Sequence, residues 1–141
     1  MNPQREIEDL IARFYAAFDN RQGRGIGVDE LRRMFLTDAR ITRVLAGQVD
    51  TWTVEEFIAP RAAMLTDGTL VAFHEWESDG ETIIFENIAA HRSQYRKYGR
   101  LHGAPYTGEG RKFISLCRLE GRWRIVSVLW EEGDEGAEGG E

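Results

Sequence analysis

The segment Ile125-Val-Ser-Val-Leu-Trp130 constrains the fold of this chain more than any other. It reads as a strand, and neighbouring side chains of a strand point to opposite faces. This one is apolar on both, so each face of its sheet needs a cover. A chain of 141 residues with few helices covers one face. The other asks for a second layer, most simply a second copy of the chain. Lys112 to Leu119 reads as the preceding strand, and Glu120-Gly121 fits a two-residue hairpin turn between them.

Upstream, Asn2-Pro3 is a helix start, with Asn as cap and Pro in the first turn. Ile7, Leu10, Ile11, Phe14 and Phe18 follow at helical spacing. Asp29 to Phe35 is a short helix with Leu31, Met34 and Phe35 inward, and Ala39 to Leu45 a first strand. Thr53-Val-Glu-Glu56 is a capping box opening a helix to about Leu65, which Pro60 should kink or interrupt. Thr69 to Ser78 and Glu81 to Tyr98 flank Asp79-Gly80, a hairpin signal, and Gly99 to Gly110 reads as a loop. The sum is an α+β chain: three helices, with one strand among them, then a four-stranded antiparallel meander.

Hydrophobic and aromatic contents of 42% and 11% suit one globular domain, placed at 1–132, with enough chain for a core. The six acids between Glu131 and Glu141 account for the whole net charge of −6, so residues 1–130 are formally neutral. That balance argues against a nucleic-acid partner. The Gly- and Glu-rich stretch 133–141 is expected to be a disordered tail. No apolar run approaches the roughly 20 residues of a membrane helix, and no signal-type segment opens the chain, so a cytoplasmic protein without a membrane partner is expected. Cys117 is the single cysteine, which rules out an intrachain disulfide and a thiolate metal cluster within one chain. His74, His91 and His102 lack metal-ligand spacing, and Gly23-Arg-Gly25-Ile-Gly27 lacks the strand and the Gly-Lys-Ser/Thr of a phosphate loop. No metal and no cofactor are expected.

The helix Ile7–Phe18, the run Phe35-Leu-Thr-Asp-Ala-Arg-Ile-Thr42, the strand Phe85-Glu-Asn-Ile-Ala-Ala-His-Arg-Ser-Gln-Tyr95 and the closing Gly121-Arg-Trp-Arg-Ile-Val-Ser-Val-Leu-Trp130 together resemble the nuclear transport factor 2-like superfamily, which includes the SnoaL-like proteins. The resemblance spans roughly residues 5–132. It implies a cone: a strongly curved sheet wrapped against three helices, with a pocket at the wide end and frequent dimers through the sheet. Members include isomerases, cyclases, dehydratases, epoxide hydrolases and proteins with no demonstrated activity, so fold alone does not select a function.

By similarity to the ketosteroid isomerases, Phe113, Ser115, Cys117, Val126, Val128 and Trp130 face the cone, as do Ala89, His91, Ser93 and Tyr95 of the preceding strand and Arg43 of the first. Ile114, Leu116, Trp123, Ile125 and Leu129 then form a homodimer surface. The expected ligand set is Tyr15, Arg43, Trp52, Phe57, His91, Tyr95, Phe113, Ser115, Val128 and Trp130. Laid onto this chain, the tyrosine, base and acid positions of those isomerases fall on Phe14, Arg43 and Ser115, and all three roles are lost. The first reading is therefore a dimeric protein binding a small, mainly apolar or aromatic molecule, with an anionic or carbonyl group near Arg43. A second is a cofactor-free lyase or isomerase with His91 as acid–base, assisted by Tyr95, about 13 Å along the strand, or by Tyr15. A third is a non-catalytic assembly module.

Overall fold

The computed structural model describes residues 2–132; the expected acidic tail at 133–141 lies outside them. Helix α1 (Pro3–Ala16) starts as its residues dictate: the Asn2 side chain accepts from the Gln4 and Arg5 amides, and Ile7, Leu10, Ile11 and Phe14 are buried. Helix α2 (Val28–Arg33) is short and buries Leu31. Helix α3 (Val54–Thr66) opens with both hydrogen bonds of the capping box, Glu56 N to Thr53 Oγ1 and Thr53 N to Glu56 Oε1. It continues through Pro60 without interruption. The missing proline N–H removes one rung of the ladder, and the flanking turns hold.

Six strands form one sheet in the order β2-β1-β6-β5-β4-β3. They are β1 (Phe35–Leu45), β2 (Gln48–Thr53), β3 (Leu70–Phe85), β4 (Ile88–Leu101), β5 (Ala104–Leu119) and β6 (Arg122–Glu132). All neighbours are antiparallel except β1 and β6. Helices α1 and α3 pack on the sheet, which gives the α+β cone. No helix among the described residues is long and apolar enough to cross a membrane.

Four expectations about the strands are corrected. Strand β2 follows a tight turn at Ala46-Gly47, where both residues have positive φ, and was hidden by its polar sequence. Asp79-Gly80 is no turn: β3 runs through it, with a register shift between Glu77 and Asp79. A Cβ on Gly80 would sit 2.6 Å from the Glu77 carboxyl, so this glycine makes room for a side chain crossing it. The chain reverses instead between Phe85 and Ile88. The supposed loop Gly99 to Gly110 belongs to β4 and β5, joined at His102-Gly103, again two residues of positive φ.

The fourth correction concerns the closing hairpin. Its turn is as expected, with Glu120 at φ 55° and Gly121 at φ 79°, and Cys117 pairs with Arg124. One pair further, the register slips: Leu116 faces Ile125, but Ser115 faces Ser127. Val126 is the extra residue of a bulge, and beyond it the inward parity of β6 changes. Ile114, Leu116, Trp123 and Ile125 share one face, as expected, but it is the core face and not a dimer surface; past the bulge Val128 and Trp130 join it, and of the expected surface set only Leu129 is exposed. Phe113, Ser115 and Val126 face outward, and Cys117 is half-buried. The apolar content of β6 on both sides is real, but the bulge divides it differently.

Candidate functional site

The helices and the inner sheet face enclose a cavity of about 300 Å³, at the small end of the range for ligand pockets. Its apolar walls come from Phe14 and Phe18 of α1, Phe57, Met64 and Leu65 of α3, Leu70 and Phe73 of β3, and Trp130 of β6. Its polar groups are unusual in number: Arg43, Arg61, Lys97 and Lys112 against Glu75 and Glu132, with the phenols Tyr95 and Tyr106. Counting Asp50 beside Arg43, three carboxylates stand against these four cations among the described residues.

Glu132 is the hub of one side. Its Oε2 accepts from the Tyr95 hydroxyl at 2.6 Å, Trp130 Nε1 at 3.1 Å and Lys97 Nζ at 3.4 Å, and its Oε1 lies 3.3 Å from Lys97 Nζ. Burial alone would raise this carboxyl, but the Lys97 charge and these donors outweigh it and hold it below the ordinary range. Burial likewise opposes the charge of Lys97, yet Glu132, Tyr106 and Glu75 raise it above the usual lysine value. Lys97 also donates to the Tyr106 hydroxyl at 3.0 Å. The Tyr95 hydroxyl is pushed well up, by burial first and by the charges of Glu75 and Glu132 next, so it stays a phenol and donates. Gly110 is required here, since a Cβ would fall 2.6 Å from the Tyr95 hydroxyl and from the Glu131 carbonyl.

The other side is cationic. The Arg61 guanidinium lies over the Phe57 ring at 4.2 Å and within 6 Å of Trp130 and Trp52. It donates to the Phe57 carbonyl, and burial shifts its pKa down. Arg43 lies over Trp52 at 5.3 Å and 3.5 Å from Asp50. Lys112 Nζ sits 3.5 Å from the centre of the Tyr95 ring, with Tyr15, Phe14 and Trp130 around it. Its pKa is pushed down to about 8, by burial and then by Lys97 and Arg61, with Glu75 and Glu132 opposing. Among the described residues neither Arg61 nor Lys112 takes part in an ion pair, while Lys97 has Glu132.

Of the expected ligand residues, Arg43, Phe57, Tyr95 and Trp130 line this cavity, and Trp52 stacks on Trp130 at 5.9 Å. Tyr15 stands behind Tyr95, ring centres 6.0 Å apart. Val128 is buried but not at the cavity, and Phe113 and Ser115 point away from it. His91 is buried in a separate cluster on β4. Its Nε2 lies 2.6 Å from Glu77 Oε2 and its Nδ1 2.7 Å from Thr82 Oγ1. Ser93 donates to the same Glu77 oxygen at 2.6 Å, so its one hydroxyl proton is used and it accepts from Tyr15 at 2.8 Å. Both imidazole nitrogens are occupied, and His91 does not line the cavity. Among the described residues no three His, Cys, Asp or Glu side chains are grouped to hold a metal.

Lys97, Lys112, Arg61, Glu75 and Glu132 were not foreseen. One signal was available: Lys97 and Lys112 are the only lysines in the chain, set against 16 arginines. Both fall within strands read from the sequence: Lys97 shares the inward parity of Tyr95, whereas Lys112 stood on the parity expected to face outward and is in fact buried.

No family model and no curated protein matches the sequence. Solved structures do. A nuclear transport factor 2-like protein from Cytophaga hutchinsonii superposes with a TM-score of 0.70 at 18% identity, over 94% of this chain and all of that one. A Novosphingobium aromaticivorans protein, provisionally assigned as a scytalone dehydratase, gives 0.72 at 16% identity, over 92% and 83% of the two chains. A Xanthomonas campestris protein, provisionally assigned as a calcium/calmodulin-dependent kinase II association domain, gives 0.70 at 13%, over 96% and 91%. The fold is that of the nuclear transport factor 2-like proteins. These identities carry no further than the fold, and the three neighbours differ in what they are said to do.

Proposed function

We propose that this protein binds a small, mainly aromatic molecule carrying a carboxylate or similar anionic group in the cone cavity. The observation that carries this is the surplus of charge. Lys112 is buried and Arg61 half-buried; both face the cavity and take no ion-pair partner among the described residues, while Phe14, Phe57, Tyr95 and Trp130 offer ring faces beside them. Burying cations without counterions is costly, and an anionic ligand removes that cost. Arg43, the residue first expected to meet such a group, stands at the same cavity but near Asp50.

Thermal-shift and calorimetric titration with benzoate-class carboxylates and their neutral amides test this. Carboxylates should raise the melting temperature and amides should not. An equal response to both, or none to any carboxylate at millimolar concentration, removes the reading. In this account His91 is a packing residue, which leaves the lyase alternative without its acid–base.

We further propose that the chain pairs with a second copy through the outer sheet face. The support is the cross-strand pair Phe113–Leu129, 61% and 45% exposed, beside a hollow bordered by Val44 and Arg92. Light scattering on F113S against the unaltered chain tests it. An unaltered chain that runs at 16 kDa contradicts it.

A further inference from the structure

We propose that Lys112 is an imine-forming amine, whose Nζ condenses reversibly with a small aromatic aldehyde or ketone that enters the cone cavity. The preference for such a compound bearing a carboxylate rests on the binding reading above; the amine chemistry rests on Lys112 itself.

Four observations lead there. Lys112 is buried on β5 at the cavity wall, 5% exposed. Its Nζ makes no hydrogen bond or ion pair among the described residues, whereas Lys97 on the neighbouring strand has both Glu132 and Tyr106. The charged groups facing it are the cations Lys97, Arg61 and Arg43 and the carboxylates Glu75 and Glu132, and Glu132 already serves Lys97, Tyr95 and Trp130. Finally, the chain places arginine at every other basic position and keeps its two lysines for this cavity. A guanidinium would have served as well for anion binding. It does not become a nucleophile at neutral pH, and an amine does.

Desolvation and a neighbouring cation are the two means by which a lysine is made nucleophilic, and Lys112 has both. The face of Tyr95 favours the ammonium and holds Nζ against the cavity wall; burial beside Lys97 and Arg61 acts the other way. With a pKa near 8, roughly a tenth of the side chain is free amine at pH 7. In the step itself the nitrogen lone pair bonds to the carbonyl carbon, and the C=O π pair moves to oxygen. The two N–H protons pass to that oxygen, the electron pair left on nitrogen forms the C=N π bond, and the C–O bond breaks to release water. No oxidant, reductant or metal is needed, and water restores both partners.

The sequence makes the test clean, because the full chain carries only three amines: the α-amine, Lys97 and Lys112. The protein is incubated at pH 7 with 4-carboxybenzaldehyde and sodium cyanoborohydride, which reduces an imine to a stable secondary amine. Peptide mapping should find one adduct per chain on Lys112, formed at least tenfold faster than on Lys97 or the α-amine. K112R, checked for folding by its melting curve, should lose it. Mapping of the unaltered chain alone decides the matter if that variant fails to fold. Labelling of the α-amine or Lys97 as fast as Lys112 overturns the proposal. If Lys112 reacts equally with neutral benzaldehyde, the amine claim stands and the anion reading falls. If aromatic acids raise the melting temperature but Lys112 stays unmodified, the reverse holds.

Discussion

Strand β4 carries two buried polar clusters on one face, only a few residues apart, and they differ in one respect. Around His91 and Ser93 every donor meets an acceptor: Glu77, Thr82 and Tyr15 close the set. Around Tyr95 and Lys97 the set stays open, because two further cations, Arg61 and Lys112, share the space with Glu132, already engaged by Lys97, and with Glu75, and form an ion pair with neither among the described residues. A titratable group in the core is therefore no sign of function by itself. What separates a site from a well-satisfied core is unspent charge facing empty volume. The histidine that drew attention in the sequence belongs to the first kind, and the lysine that drew none belongs to the second.

The largest effect expected from testing this contrast is at Glu132. E132Q strands Lys97 in the cavity wall, and removing one partner of a buried pair costs about 3–5 kcal/mol, to be read from urea denaturation at pH 7. Glu132 has its folded pKa below the ordinary carboxylate value. Its stabilisation is thus in place at neutral pH and is lost as pH falls through that lowered value.

Next comes Lys112, with the opposite sign. Its pKa falls from 10.5 to about 8 on folding, so the unfolded chain binds more protons between those values and stability rises with pH across them. K112M should stabilise the protein by about 1–3 kcal/mol at pH 7, less what the Tyr95 face returns to the ammonium. The gain should shrink above pH 8 and vanish near 10.5. A variant that is destabilised at pH 7 would place Lys112 with the satisfied groups and erase the contrast.

H91Q should cost about 1–2 kcal/mol through its lost hydrogen bonds and leave the affinity for aromatic carboxylates unchanged in calorimetry. A weakened affinity would join the two clusters into one site. The smallest effect is on the outer face, where F113S should change chain stability by no more than about 0.5 kcal/mol while shifting the molecular mass seen by light scattering.

Local signals were legible in the sequence. Asn2 capping α1, Thr53 and Glu56 capping α3, and the Glu120-Gly121 turn each depend on a few adjacent residues, and each stands as read. The inward parity of Ala89, His91, Ser93 and Tyr95 was also readable, because β4 is regular where it carries them. What failed was information that propagates. One extra residue at Val126 reverses parity along the rest of β6 relative to β5, so Val128 and Trp130 join Ile114 and Leu116 on the core face and Leu129 turns outward. Gly80 resembled a turn because the carboxylate lying over it comes from Glu77, a relation no local pattern encodes. Glu132 looked like the first residues of an acidic tail, since its partners are contributed by β4 and by Trp130 rather than by its chain neighbours.

The central claim is that the cavity holds cationic charge for a ligand to neutralise. Isothermal titration of benzoate-class carboxylates into the unaltered chain and into K112M at pH 7 tests it most directly. The account predicts saturable binding of one molecule per chain, weakened at least tenfold, about 1.4 kcal/mol, in K112M. No binding to the unaltered chain, or equal affinity in the two, would contradict it.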